Sequence, residues 1–304
     1  MSNKLNRIYI GAICNRDLEI LQEIKKFCGK NYNISIINLF KTGSDNFNVK
    51  YFKKKLRKYP ISLIILKLLS EESNQIIYDA INKFAPDIPL LNTLNSVKIC
   101  ESRINTFEFI KQKCKKLNIP QIYNSYYEAY KACTNGKNII IKLDTHNIPS
   151  LPKNERILGV ARNIDQFKKL TAEFNNNNLF FQEYIGEFEI VYKIYIIDRW
   201  AVSITSYNRL QNVSDLSPLD LIHIRVPIEK QLKRRLLRLG RKLGMVIFGI
   251  DYILTKEGIP YIVDVNDFPS FRSIPEAVSL ISDYIYNTLN IRQQLFKVPV
   301  TVKS

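Results

Sequence analysis

The run Gly249-Ile250-Asp251-Tyr252-Ile253-Leu254, followed after a short gap by Tyr261-Ile262-Val263-Asp264-Val265-Asn266, decides the fold. Both halves are rich in β-branched and aromatic residues, as strands require. Lys256-Glu257-Gly258 between them is a turn signal. Side chains alternate along a strand, so Asp264 and Asn266 share one face and Val263 and Val265 the other. Pairing through the Gly258 turn sets Asp251 beside Asp264. Two carboxylates and an amide oxygen then converge inside an otherwise apolar hairpin. Unpaired buried carboxylates are costly, so the cluster needs a cation. Oxygen-only donors of this kind suit Mg²⁺, which keeps several waters and takes phosphate oxygens as further ligands. A single Asp more often caps a strand end in solvent; three such residues at this spacing point to a metal site.

Working outward, Glu229–Gly244 precedes the hairpin as an amphipathic helix. Leu232, Leu236, Leu239 and Leu243 recur at helical spacing with Lys233, Arg234, Arg235, Arg238, Arg241 and Lys242 around them. Upstream lie strands at Leu179–Ile185, Ile190–Asp198 and Trp200–Ser206, the last two joined by a tight Asp198-Arg199 turn. Another strand covers Asn138–Leu143. A helix from Ser96 to about Leu117, capped by Asn95, and another over Tyr126–Cys133 come before it. Residues 1–95 alternate strands (Arg7–Ile13, Asn33–Leu39, Ile61–Leu68, Pro89–Leu91) with helices (Asp17 to about Cys28, Glu71–Phe84), which predicts a small parallel α/β domain. A helix from Pro275 to about Leu289 closes the fold. The expected division is 1–95, 96–185, 186–293 and a tail, 294–304.

Composition narrows the function classes. The chain has 45 basic and 28 acidic residues, a formal charge of +17, which attracts polyanions. Heavy use of Lys, Ile and Asn accounts for part of that excess. Nucleic-acid recognition lacks a motif, and basic strand faces lack interleaved aromatics. No apolar run approaches the roughly 20 residues of a membrane span, and no signal-peptide core opens the chain; a cytoplasmic monomer is expected. Five scattered cysteines without a CxxC pair and only two histidines argue against disulfide frameworks, zinc sites and His-based triads.

Val263-Asp264-Val265-Asn266-Asp267-Phe268-Pro269 resembles the metal motif of the ATP-grasp superfamily, within it the inositol tris/tetrakisphosphate kinases, and Gly249-Ile250-Asp251 is similar to their preceding acidic strand. The resemblance implies an α/β fold, α+β in its central and C-terminal lobes, with nucleotide bound between two lobes and a small N-terminal domain. It also implies ATP and two Mg²⁺ ions, held by Asp251, Asp264 and Asn266. Further segments extend it. Ser96 to Arg103 is similar to the helix whose arginine approaches nucleotide phosphate. Ile140-Ile141-Lys142 is similar to the strand whose lysine holds ATP phosphates, and Gln182-Glu183-Tyr184-Ile185 to the hinge that contacts adenine. Val191-Tyr192-Lys193-Ile194-Tyr195 resembles the segment whose lysine serves both nucleotide and acceptor, so Lys193 carries a catalytic role.

For an inositol phosphate acceptor, the resemblance and the need for cations single out Arg16, Lys67, Lys193, Arg209 and Arg272, with Asn266 and Ser270 of the metal motif. His146 is the candidate proton acceptor and substrate contact. One departure concerns the loop after the ATP lysine: residues 143 to 158 contain no glycine, where the family has one. The rival on the same fold is a carboxylate–amine ligase acting through an acyl-phosphate. A non-catalytic anion-binding module is a third reading. Basic residues at the acceptor positions, Lys67 among them, favour the kinase.

Overall fold

The computed structural model describes residues 7–41, 46–69, 74–145, 156–186, 190–208, 210 and 222–295. They divide into two compact units.

The first unit begins with β1 (Ile8–Cys14), α1 (Leu18–Tyr32), β2 (Ile34–Asn38), α2 (Val49–Lys58), β3 (Ile61–Lys67), α3 (Asn74–Phe84) and β4 (Leu90–Leu91). Its sheet runs β2-β1-β3-β4, every neighbour parallel. The alternation of strands and helices predicts this arrangement, and the buried strands read as apolar runs, Ile61-Ser62-Leu63-Ile64-Ile65-Leu66 for example. α2 adds a helix between the predicted strands. Val49, Phe52 and Leu56 lie at helical spacing in VKYFKKKLRK, although only Phe52 is fully buried, and Asn48 caps the helix, its Oδ1 accepting from Tyr51 N at 2.9 Å. From the far end of the chain, α9 (Ala277–Leu295) joins this unit. The Tyr32 hydroxyl donates to the Asp283 carboxylate, and the Tyr32 and Tyr286 rings stack at 4.3 Å.

The second unit starts with α4 (Leu94–Cys100, from Asn95 on) and α5 (Arg103–Lys113). The sequence predicts one helix here, from Ser96 to about Leu117, and that expectation is corrected. Ser102 is extended and caps the second helix, its hydroxyl accepting from Asn105 N at 3.1 Å, while its backbone bridges to Thr145. A serine side chain offers the backbone an alternative partner in this way, which favours helix starts over helix interiors.

Then follow β5 (Ile122–Tyr123), α6 (Tyr126–Thr134), β6 (Ile139–Leu143), β7 (Ile157–Ala161), α7 (Ile164–Thr171) and β8 (Leu179–Glu183). They build an antiparallel sheet ordered β5-β8-β6-β7. Ile139, Ile141 and Leu143 pack with Ala129, Cys133 and Phe167 of α6 and α7. Alternation turns Ile140 and Lys142 to the opposite face.

A second antiparallel sheet, β11-β10-β9-β12-β13, comprises β9 (Ile190–Ile197), β10 (Trp200–Tyr207), β11 (Arg225–Val226), β12 (Ile247–Leu254) and β13 (Pro260–Asp267). α8 (Lys230–Leu243) covers one of its faces. Leu232, Leu236, Leu239 and Leu243 are buried against Ile194, Ile196, Phe248, Ile250 and Val265, each buried leucine worth about 1.5–3 kcal/mol. Gly244, at φ +80, ends the helix in the left-handed conformation that glycine adopts without strain.

Within α8, Gly240 carries a testable consequence. Alanine normally gains up to about 1 kcal/mol over glycine in a helix. A Cβ at 240, however, would lie 2.5 Å from Phe248 and 2.9 Å from the Met245 carbonyl oxygen. The backbone oxygen cannot yield cheaply, so the sign reverses. Gly240→Ala is expected to lower stability by about 1–3 kcal/mol, in the range of core overpacking, as read by urea unfolding.

Candidate functional site

The sheet face opposite α8 carries the polar residues that the sequence singles out. Ile250 and Tyr252 are committed to the core under α8, so alternation sends Asp251 the other way. Asp251 stands directly across from Asp264 on β13 and from Lys193 on β9. Asn266 is opposite Gly249 and shares the face of Asp264. The hairpin pairing expected from the sequence is therefore present, with one addition. Tyr252 pairs with Ile262, so Val263 is a bulge. That bulge keeps Ile262 and Val265 both in the core although they are three residues apart.

Charges alternate across this face. Lys193 Nζ lies 3.6 Å from Asp251 Oδ2, and Arg103 Nε 3.5 Å from Asp264 Oδ1. Burial pushes the Asp251 carboxyl above its usual range, Lys193 opposes that shift, and Asp264 adds to it by like-charge repulsion. A cation placed between the two carboxylates would relieve both effects. Arg103 is 5% exposed, and its Nη1 donates to the carbonyls of Leu143 and Thr145, the latter at 3.4 Å. The break between α4 and α5 is what turns it there. Asp144 secures that break, its Oδ1 accepting from Ile104 N at 2.7 Å and its carbonyl from Arg103 N at 2.9 Å.

Lys142 is 4% exposed. Its Nζ donates to Gln182 Oε1 at 3.1 Å and to the carbonyl of the bulged Val263 at 2.9 Å. Since the ammonium needs an acceptor, this contact fixes which way the Gln182 amide points. Gln182 Nε2, also buried, then has no hydrogen-bond partner. A buried donor without an acceptor costs about 1–3 kcal/mol, and it lines a cleft. That cleft is bounded by Arg103, Lys142, Gln182, Asp251 and Asp264, with apolar walls from Ile140, Ile157, Val191 and Ile253, and by Glu183, Tyr184 and Ile185 at its edge. Apolar walls beside an orphaned donor and two buried cations fit a ligand that has an apolar ring to cover and anionic groups to hold. The two carboxylates and one amide form an oxygen-only donor set fitting Mg²⁺. Among the described residues no three His, Cys, Asp or Glu gather as a metal cluster.

The apolar walls were not singled out by sequence, because an isoleucine that covers a ligand looks like one that fills a core. The Val263 carbonyl escapes sequence reading as well, since it becomes available through a bulge. Arg16, Lys67, Ser270 and Arg272 belong to the first unit. Three of them gather on Asp17: Lys67 Nζ at 3.4 Å, Arg16 Nη1 at 3.8 Å and Arg272 Nη2 at 3.5 Å. Asp17 is the left-handed residue before α1, and its anchoring part was not anticipated. Ser270 is half-buried in that unit. His146 and Arg209 lie outside the described residues.

Burial is the main reason the Lys142 ammonium is pushed down from 10.5 to about 8; Asp264 opposes the shift and Arg103 adds to it. In the unfolded chain the proton stays on until about pH 10.4. Between pH 8 and that point the unfolded state binds more protons, so stability rises with pH. Below pH 8 both states are protonated and this group contributes no slope. Unfolding measured at pH 7.5 and 9.5 is expected to show this gain in the ligand-free protein and to lose it in Lys142→Met. Identical pH slopes for the two proteins would contradict the assignment.

No family model matches the chain. Inositol-tetrakisphosphate 1-kinase 2 of Oryza sativa subsp. indica is 23% identical over 276 residues, covering 78% of this chain and 75% of the rice protein. Among solved structures, D-alanine–D-alanine ligase from Bacillus anthracis complexed with ATP superposes with a TM-score of 0.62 at 14% identity, covering 94% of this chain and 99% of that one. A peptide-associated ATP-grasp ligase from Chryseobacterium gregarium gives 0.64 at 14% identity, over 93% and 97%. No helix among the described residues is long and apolar enough to cross a membrane. The chain has the ATP-grasp fold, and in sequence it is similar to an inositol-tetrakisphosphate kinase.

Proposed function

We propose that this protein is a Mg²⁺-dependent kinase that transfers the terminal phosphate of ATP to a hydroxyl of a polyphosphorylated small molecule, an inositol phosphate. The observation that carries this reading is a cleft lined by the cations Lys142 and Arg103 beside the paired carboxylates Asp251 and Asp264, with Lys193 paired to Asp251. Phosphoryl transfer through a loose transition state asks for alignment and charge neutralisation more than for covalent participation by the protein.

Each residue then has a task. Lys142 holds nucleotide phosphate oxygens, and exchanging its two neutral acceptors for phosphate restores its full charge. Gln182 Nε2 gains an acceptor from the nucleotide. Lys193, a third exposed and already paired with Asp251, follows the migrating charge as phosphate leaves ADP. Arg103, its fork fixed by two carbonyls, orients Asp264 and offers a planar donor to phosphate. Asp251, Asp264 and Asn266 would hold Mg²⁺, which supplies Lewis-acid polarisation of the phosphates when bound.

Kinase is preferred over ligase for two reasons: the relative found by sequence is an inositol phosphate kinase, and the first unit concentrates Arg16, Lys67 and Arg272 on one carboxylate. Such a cluster is suited to acceptor phosphates, to which the guanidinium groups bind bidentately. The cytoplasmic, monomeric state is part of the same proposal. The test is ADP release with Mg²⁺-ATP and either a panel of inositol phosphates or pairs of amino acids. Release that depends on an inositol phosphate supports the kinase; release that depends on an amine and a carboxylate together replaces it with the ligase.

A further inference from the structure

We propose that a second anion-binding site lies where the end of α5 meets α8, and that it takes a compact polyphosphate group. A cleft of about 490 Å³ opens there. Lys113, Lys115 and Lys116 line it from the α5 side, and Arg234, Arg235, Arg238 and Lys242 from α8. It shares no lining residue with the nucleotide cleft, and it does not depend on how that cleft is read.

The whole chain has 45 basic and 28 acidic residues, so an average patch with seven cations includes several acids. This one includes none. Among the described residues none of the seven forms an ion pair. Arg234, Arg238 and Lys242 follow one another at four-residue spacing, a like-charge row that disfavours a helix unless something offsets it. The walls are nevertheless tied together. The Lys242 ammonium donates to the Lys113 carbonyl across the cleft, while along α8 itself Arg235 Nη2 donates to Gln231 Oε1 at 3.1 Å. A preformed, concave, uncompensated cluster of cations is what a dense anion requires, and three guanidinium forks suit phosphate geometry.

Two other partners fit less well. The leucine face of α8 is already buried in the core, so this helix has no apolar side to insert into a bilayer. No aromatic residue lines the cleft, and single-stranded nucleic acid is held largely by stacking on aromatics.

Cys114 lines the cleft and provides a position-specific reporter, because the other four cysteines are buried. The full chain is treated with iodoacetamide with and without inorganic tripolyphosphate, alone and with ATP present at saturation. Tripolyphosphate is expected to slow Cys114 alkylation at least tenfold under both conditions. Arg234→Gln with Arg238→Gln, both at exposed positions, is expected to remove the protection while leaving the melting temperature and nucleotide binding unchanged.

Vesicles of phosphatidylcholine with and without phosphatidylinositol bisphosphate separate the two sources of such a group. Protection by free tripolyphosphate alone identifies a soluble ligand. Vesicle binding that needs the phosphorylated lipid and is lost in the double variant identifies a headgroup. Unchanged alkylation with both, protection that survives the double variant, or protection only by a 20-nucleotide RNA overturns the proposal. Loss of kinase activity with protection intact would sink the functional reading above and leave this site standing.

Discussion

Asp264→Asn is expected to lower kcat/KM by at least about 10³-fold, because a metal at this centre contributes several kcal/mol of transition-state charge stabilisation. The substitution keeps size and one oxygen but removes the charge. It also takes away the partner of Arg103, whose Nε is 3.5 Å from Asp264 Oδ1. Arg103 stays anchored by the carbonyls of Leu143 and Thr145, so a modest fall in melting temperature is expected rather than unfolding. Two measurements separate the roles. A metal ligand moves the Mg²⁺ concentration for half-maximal rate upward, by about tenfold or more, and excess Mg²⁺ recovers part of the loss. A residue that only orients Arg103 leaves the Mg²⁺ dependence where it was, and that result would refute the metal assignment.

The second large effect is expected at Lys142. Lys142→Met keeps the length of the stem and removes a charge held among Gln182, Val263 and Phe180. Charge-assisted hydrogen bonds contribute about 1.5–3 kcal/mol, so ATP affinity should weaken by about 10–100-fold. Turnover should fall further, since preorganised donors act most strongly on charge that develops in the transition state. Wild-type protein should also take up protons on binding ATP near pH 8.5, as phosphate restores the ammonium, and the variant should not. Calorimetry in two buffers of different ionisation enthalpy reads this directly. Equal ATP affinity in the two proteins would remove Lys142 from the nucleotide site.

Much of this geometry is legible in the sequence where pattern and chemistry coincide. The β12–β13 hairpin carries β-branched residues on both strands, a glycine turn at Gly258 and acids that alternate out of the core, so fold and candidate metal centre come from the same residues. α8 is equally plain, since its four leucines recur at helical spacing and Gly244 stops it. Lys142 and Lys193 stand out because each interrupts an apolar strand.

What stays hidden has physical reasons. α2 buries only Phe52, and its stripe of Val49, Phe52 and Leu56 is short and set among six basic residues. The break between α4 and α5 depends on Ser102 meeting Thr145, forty-three positions along the chain, which local propensity cannot contain. The Val263 bulge is set by how β13 registers on β12. The isoleucines of the cleft differ from core isoleucines only in what faces them. The gathering of Arg16, Lys67 and Arg272 on Asp17 joins segments more than 250 positions apart.

The fate of the terminal phosphate tests the central claim most directly. With ATP labelled at the γ-phosphate, Mg²⁺ and an inositol phosphate acceptor, the label should appear in a more highly phosphorylated inositol, one for each ADP formed. Label recovered as free phosphate, with release requiring an amine and a carboxylate and the inositol unchanged, would contradict it.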